Sequence, residues 1–195
     1  MARNSLAVFS MVLNFIAIHL GHPATTPLMI GFCAPAAIQL ARKLGVFKVE
    51  MIGDCYVAVT GLPEPSNDHA VVLARFAWKW VLMTISVCKT EATLGPGTAD
   101  LALRVGLQSG PVTAGVLRGE KSRFQLFGDT MNTASRVESN GMKNRVQVSQ
   151  STADLLISGG KQHWLTPREN KIDAKGKGAM QVSSAMAYGR LVLDM

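Results

Sequence analysis

The chain has 195 residues, 48% of them apolar and 17% charged, so it can build a real core and does not have the composition of a disordered chain. Twenty Lys and Arg against 13 Asp and Glu leave a net charge of +7, which points to an anionic partner without choosing among nucleic acid, a membrane surface and a phosphate-bearing ligand. Three cysteines, Cys33, Cys55 and Cys88, are odd in number and form no CxxC pair; they support neither a disulfide framework nor a structural zinc site, and the default is a reducing compartment.

From Asn4 to Ala41 there is no Asp, Glu, Lys or Arg, so composition divides the chain near residue 42. Ser5 to Leu20 is an apolar run that ends at Gly21-His22-Pro23, and Pro27 to Ala41 is a second, containing Pro35. Each is shorter than the roughly 20 residues that cross a bilayer. Three readings stay open for this segment: a membrane or targeting element, core packing, or an aberrant start. We divide the chain into an N-terminal segment over 1–35, a folded domain over 36–182 and an unrelated tail over 183–195.

Within the domain, Ala37, Leu40, Ala41 and Leu44 recur at helical spacing and Gly45 follows as a C-terminal stop. Two β-rich runs, Val46 to Ile52 and Cys55 to Thr60, flank Gly53-Asp54 and predict a hairpin with Asp54 at its tip. Ser66, Asn67 and Asp68 can cap a helix whose apolar stripe is Val72, Phe76, Trp80 and Met83. A loop over 90–99 leads to strands at Leu101 to Leu107, Val112 to Leu117 and Phe124 to Phe127; Gly128-Asp129 then turns the chain into a helix over Thr130 to Glu138. A strand at Val146 to Val148 and a helix capped within Ser149 to Ser151 complete an α+β order, a mixed or antiparallel sheet with helices packed on it.

By propensity alone Asp54 is a turn residue. Asn132 and Arg136 stand four apart near a helix N-terminus, where backbone N–H groups and the helix dipole favour phosphate, although an ordinary polar helix face has the same pattern. Lys175-Gly176-Lys177-Gly178 lacks the spacing of a Walker loop and reads equally well as a solvated basic turn.

The combination is specific. Lys48 to Asp54 (KVEMIGD), Ser109 to Val116 (SGPVTAGV), Leu126 to Ser139 (LFGDTMNTASRVES) and Lys175 to Met180 (KGKGAM) follow one another in the order and spacing of a class III nucleotide cyclase catalytic domain, which the chain closely resembles from about Ala41 to Gln181. The resemblance implies a ferredoxin-like cyclase fold and the conversion of GTP to 3′,5′-cyclic GMP and pyrophosphate in intracellular signal transduction. It also implies two Mg²⁺ or Mn²⁺ ions, with Asp54 as a metal ligand. Asn132, which orients the ribose, and Arg136, which stabilises charge on the transferring phosphate, become the catalytic pair. Glu50, Gln125 and Lys175 become substrate-binding residues, Glu50 of the guanine type and Gln125 of neither usual type. The domain is expected to work as a homodimer or a heterodimer with another cyclase domain, one protomer giving Glu50 and Asp54 and the other Asn132, Arg136 and Lys175. It is expected to face the cytoplasm, with a membrane tether among the readings open for the N-terminal segment.

Two departures accompany the resemblance. The family's first strand and helix, which carry the other metal-binding Asp, are expected before Ala41, where there is no Asp; the chain therefore reads as truncated, with that strand and helix missing. After the KGKGAM segment, Gln181 to Met195 shows no relation to the family's closing strand. Two alternatives stay open: a catalytically inactive cyclase-homology module for nucleotide binding or dimerisation, and an adenylate cyclase using ATP. A nucleic-acid binder is disfavoured because the basic stretches lack interleaved aromatics.

Overall fold

The computed structural model describes residues 9–16, 25–52, 55–62, 64–88, 102–117, 123–169, 171–174 and 178–185. The predicted hairpin is present as β2 (Phe47–Ile52) and β3 (Cys55–Thr60), antiparallel to each other. Helix α2 (His69–Cys88) starts where the cap residues place it, with the Val72 N–H donating to the Asp68 carbonyl at 2.9 Å. Strands β4 (Ala102–Ser109), β5 (Thr113–Leu117) and β6 (Arg123–Phe127) precede helix α3 (Asp129–Ser139). Strand β7 (Arg145–Ser149) runs into helix α4 (Gln150–Ser158), whose N-cap Ser149 accepts from the Thr152 N–H. Four short strands close the domain: β8 (Leu165–Pro167), β9 (Ile172–Ala174), β10 (Gly178–Met180) and β11 (Val182–Ala185).

Both missing elements are in place. Strand β1 (Phe9–Ile16) lies in the middle of a seven-stranded sheet of order β2-β3-β1-β4-β7-β11-β8, antiparallel to β3 and to β4. Helix α1 (Thr25–Leu44) follows it and begins well before the helix that periodicity predicts. The expectation of an absent first strand and helix is thus corrected, and with it the separation of residues 1–35 from the domain. A central strand covered on both faces reads as an unbroken apolar run, the same signal as an anchor segment. At the other end β11 pairs with β7 and β8, so the segment from Gln181 onward does supply a sheet strand, and the tail expected from residue 183 instead begins inside it.

Strand β4 runs parallel to β7 and the other pairings in this sheet are antiparallel, as a mixed α+β sheet requires. One face carries α1, α2 and α4 over a core that includes Ala41, Tyr56, Phe76, Trp80, Leu103, Leu107, Val148 and Leu156. Tyr56 and Trp80 meet edge to face with centroids 4.7 Å apart. The opposite face carries α3, and β5 and β6 form a separate two-stranded ribbon. Among the described residues no helix is long and apolar enough to cross a membrane.

Candidate functional site

Glu50 reaches the site through a β-bulge. Phe47 and Lys48 lie opposite Val59 and Ala58, but Glu50, Met51 and Ile52 lie opposite Val57, Tyr56 and Cys55, which leaves Val49 as the extra residue of β2. An unbroken ladder would set Glu50 against Tyr56, whose ring is fully buried under Trp80. The bulge turns Glu50 instead to the face of Val57 and Val59. On that face Val59 and Leu126 pack with Val49, Leu62, Val112, Phe124 and Met131, joining β2, β3 and β6 to the first turn of α3. Glu50 there meets Gln125 of β6, whose Nε2 donates to Glu50 Oε2 at 3.4 Å. On the other face, burial pushes the Tyr56 phenol up to about 12.

Asn132 and Arg136 stand on α3, Asn132 exposed and Arg136 half-buried, while Thr130, Thr133, Ala134, Val137 and Glu138 form the buried side. No side chain caps this helix: Gly128 occupies the N-cap at φ 132°, a conformation that a residue with a Cβ adopts only under strain. Thr130 ties the first turn down by donating to the Pro111 carbonyl at 2.6 Å.

The seat of α3 is tight. A Cβ on Gly106 of β4 would lie 2.3 Å from the Glu138 nitrogen and 2.7 Å from the Ala134 oxygen, so only glycine lets the helix backbone rest on the strand. Arg104 Nε donates to the buried Glu138 carboxylate at 2.9 Å, and Gln147 Nε2 donates to the Val137 carbonyl at 3.0 Å. Arg168 in turn donates to Gln147 Oε1 at 2.5 Å and to the Asn140 carbonyl at 3.0 Å. These bonds fix the C-terminal half of α3 and therefore the direction of its polar face.

Of the residues predicted from sequence, Glu50 and Gln125 are brought together, and Asn132 and Arg136 share one helix face. Asp54 and Lys175 lie outside the described residues. Sequence reasoning passed over Arg104 and Gly106 of β4, which seat the helix that carries Asn132 and Arg136; no local signal marks either, because each acts only once β4 lies against α3.

The profile of the adenylate and guanylate cyclase catalytic domain matches residues 5–184, and the chain belongs to that family. It is 41% identical over 143 residues, 73% of its length, to the guanylate cyclase soluble subunit beta-2 of Rattus norvegicus, and 40% identical over 133 residues, 68% of its length, to the receptor-type guanylate cyclase gcy-28 of Caenorhabditis elegans. It spans only 20% and 10% of those two relatives. Among solved structures, the guanylate cyclase domain of RhGC from Catenaria anguillulae, in complex with GTP, superposes with a TM-score of 0.78 at 31% identity, covering 95% of this chain and 99% of that one. The match from residue 5 agrees with the placement of β1 inside the sheet.

Class III cyclases use divalent metals, and a two-ion centre needs carboxylates able to bridge the ions. The first acidic residue of this chain is Glu50, so β1 contributes no carboxylate at any position. Glu138, the carboxylate next to β4, is engaged by Arg104, and Glu50 is engaged by Gln125. Among the described residues no group of three or more His, Cys, Asp or Glu comes together. The donors among the described residues therefore do not fit a two-ion centre.

Proposed function

We propose that the chain is a guanylate cyclase catalytic domain that binds GTP and contributes to its conversion to 3′,5′-cyclic GMP and pyrophosphate in intracellular signalling. The observation that carries the base assignment is the contact between Glu50 and Gln125. Guanine presents N1–H and a 2-amino group, both donors, and the Glu50 carboxylate accepts from both; Gln125 spends one N–H on Glu50 and keeps a second for guanine O6. Adenine presents an acceptor at N1, which faces the same carboxylate unpaired at a cost of about 1–3 kcal/mol.

In the reaction the ribose 3′-hydroxyl loses its proton to solvent and its oxygen bonds to the α-phosphorus as the bond from that phosphorus to the pyrophosphate oxygen breaks and pyrophosphate leaves. Asn132 holds the ribose, and the Arg136 guanidinium offers a planar fork to the phosphate oxygens on which charge builds up. Lys175 binds the triphosphate and Asp54 a divalent ion. These roles fall to two chains: Glu50 and Asp54 on one, and Asn132, Arg136 and Lys175 on the next. The partner is a second cyclase domain, in a homodimer or a heterodimer. Exposed apolar side chains support such pairing, since Leu117 and Phe127, on one face of the β5–β6 ribbon, are each more than 40% exposed. We place the domain on the cytoplasmic side, where GTP is available.

A nucleotide-binding module without turnover is the second reading, favoured by the absence of a carboxylate from β1. Equilibrium titration with GTP and with ATP tests the base assignment. GTP is expected to bind about ten-fold more tightly, and Glu50→Ala to remove that difference. Equal binding of the two nucleotides by the unaltered chain would overturn it.

A further inference from the structure

We infer that Arg168 is a positioning residue for the nucleotide: it grips the C-terminal turn of α3 from outside the helix and thereby sets where Arg136 stands. The inference rests on the reading of the chain as a guanylate cyclase domain. Arg168 follows β8, and its Nη1 donates to acceptors on two different elements, the Asn140 carbonyl at the end of α3 and Gln147 Oε1 on β7. Asn140 is the C-cap of α3, and it donates to the Arg136 carbonyl through its backbone N–H at 3.2 Å and through its side-chain Nδ2 at 2.9 Å. The path from the Arg168 guanidinium to the backbone of Arg136 therefore runs through Asn140 alone.

Gln147 supplies a second grip. It is buried, and its Nε2 donates at 3.0 Å to the carbonyl of Val137, the residue after Arg136. The cation on its Oε1 fixes this orientation, since a turned amide would set N–H groups against the guanidinium and oxygen against oxygen at Val137. A positive charge here also answers the negative end of the helix dipole. The main chain of Arg168 is itself anchored: its N–H donates to the Val182 carbonyl at 3.2 Å, and its carbonyl accepts from Gln181 Nε2 at 2.9 Å. Beside these bonds Val137 packs with Ile172, Met180 and Val182 of β9, β10 and β11. The guanidinium thus reaches the helix from a fixed base, and its loss loosens the turn of Arg136 while the core around Tyr56 and Trp80, on the other face of the sheet, stays packed.

The test is a double-mutant cycle on equilibrium GTP binding by the full chain. Arg168→Met is expected to weaken GTP binding about ten-fold, and to add little in an Arg136→Ala background, because it acts through Arg136. Combined with Glu50→Ala, which alters the base contact on β2, the two losses should multiply. A folded Arg168→Met protein, judged by circular dichroism, that binds GTP as the unaltered chain does would overturn the inference. So would a loss that multiplies with Arg136→Ala as fully as with Glu50→Ala, the mark of a merely structural role. The same cycle is run with Arg168→Lys, which keeps the charge and gives up the planar guanidinium, so that a folding failure of the first variant leaves the comparison intact; a smaller loss, again absent without Arg136, is expected. Absence of GTP binding in the unaltered chain sinks the guanylate cyclase reading, whereas intact GTP binding without the coupling sinks only the role of Arg168.

Discussion

Glu50 pairs with Val57, one step off the register that Lys48 and Ala58 establish, and this offset is what brings its carboxylate to Gln125. The bulge at Val49 therefore decides which face of the sheet carries the base-reading charge. Deleting Val49 would leave Lys48 opposite Ala58 and Glu50 opposite Val57 in a regular ladder. We expect a Val49 deletion to keep the preference for GTP over ATP in a binding titration. The loss of Val49 from its apolar cluster should lower stability by about 1–2 kcal/mol in urea denaturation. Loss of the preference would show that Glu50 had changed face and that the bulge is not its determinant.

Reversing the donors and acceptors around the base should reverse the choice of nucleotide. Glu50→Lys gives a donor for adenine N1, and Gln125→Asp an acceptor for its 6-amino group. The double variant is expected to bind ATP better than GTP, each mismatched polar group with guanine costing about 1–3 kcal/mol. An unchanged ratio of affinities would take base selection away from these two residues.

Gly106 is the position at which a single methyl group should do most damage. Its Cβ would meet the backbone of α3 at 2.3 and 2.7 Å, and backbone cannot step aside as the end of a side chain can. Gly106→Ala is expected to cost about 3 kcal/mol in urea denaturation and to weaken GTP binding by displacing Asn132 and Arg136. A variant of normal stability would mean that α3 sits farther from β4.

Tyr56 gives the fold a signature at alkaline pH. Its phenol titrates at about 12 in the folded chain against about 10 when unfolded, because burial disfavours the phenolate. The folded state holds its proton longer, so the contribution is whole below pH 10 and falls away between pH 10 and 12, by about 2–3 kcal/mol. Tyr56→Phe should flatten this decline. Since the buried hydroxyl has no hydrogen-bond partner, the same change should leave stability at pH 7 equal or raise it by about 1 kcal/mol. A clear loss of stability at pH 7 would show that the hydroxyl is satisfied.

Much of this architecture was legible because local chemistry and tertiary structure agree. The hairpin follows from β-rich runs around Gly53-Asp54, α2 from the caps before His69, and α3 from the helix formers over Thr130 to Glu138 that follow Gly128-Asp129. What escaped has physical causes. Strand β1 is central, and a strand covered on both faces loses the alternation that marks a half-exposed one. Helix α1 carries no acidic residue in its first turn and has Pro35 inside it, so the usual signs of a start are absent and a sign of a stop lies in the middle. The bulge at Val49 is set by pairing with β3 and leaves no mark in β2 alone.

The central claim, that two copies of this domain share one guanine-nucleotide site, is tested most directly by complementation between two variants. One copy carries Glu50→Ala, which removes the base-reading carboxylate; the other carries Asn132→Ala with Arg136→Ala, which disables the polar face of α3. Each alone should bind GTP weakly. Their mixture contains pairs in which the second copy supplies Glu50 and the first supplies Asn132 and Arg136. Recovery of GTP binding in the mixture, and in neither variant alone, is the result we predict. Full GTP binding by either variant alone, or no recovery in a mixture in which the two copies demonstrably pair, would contradict the account.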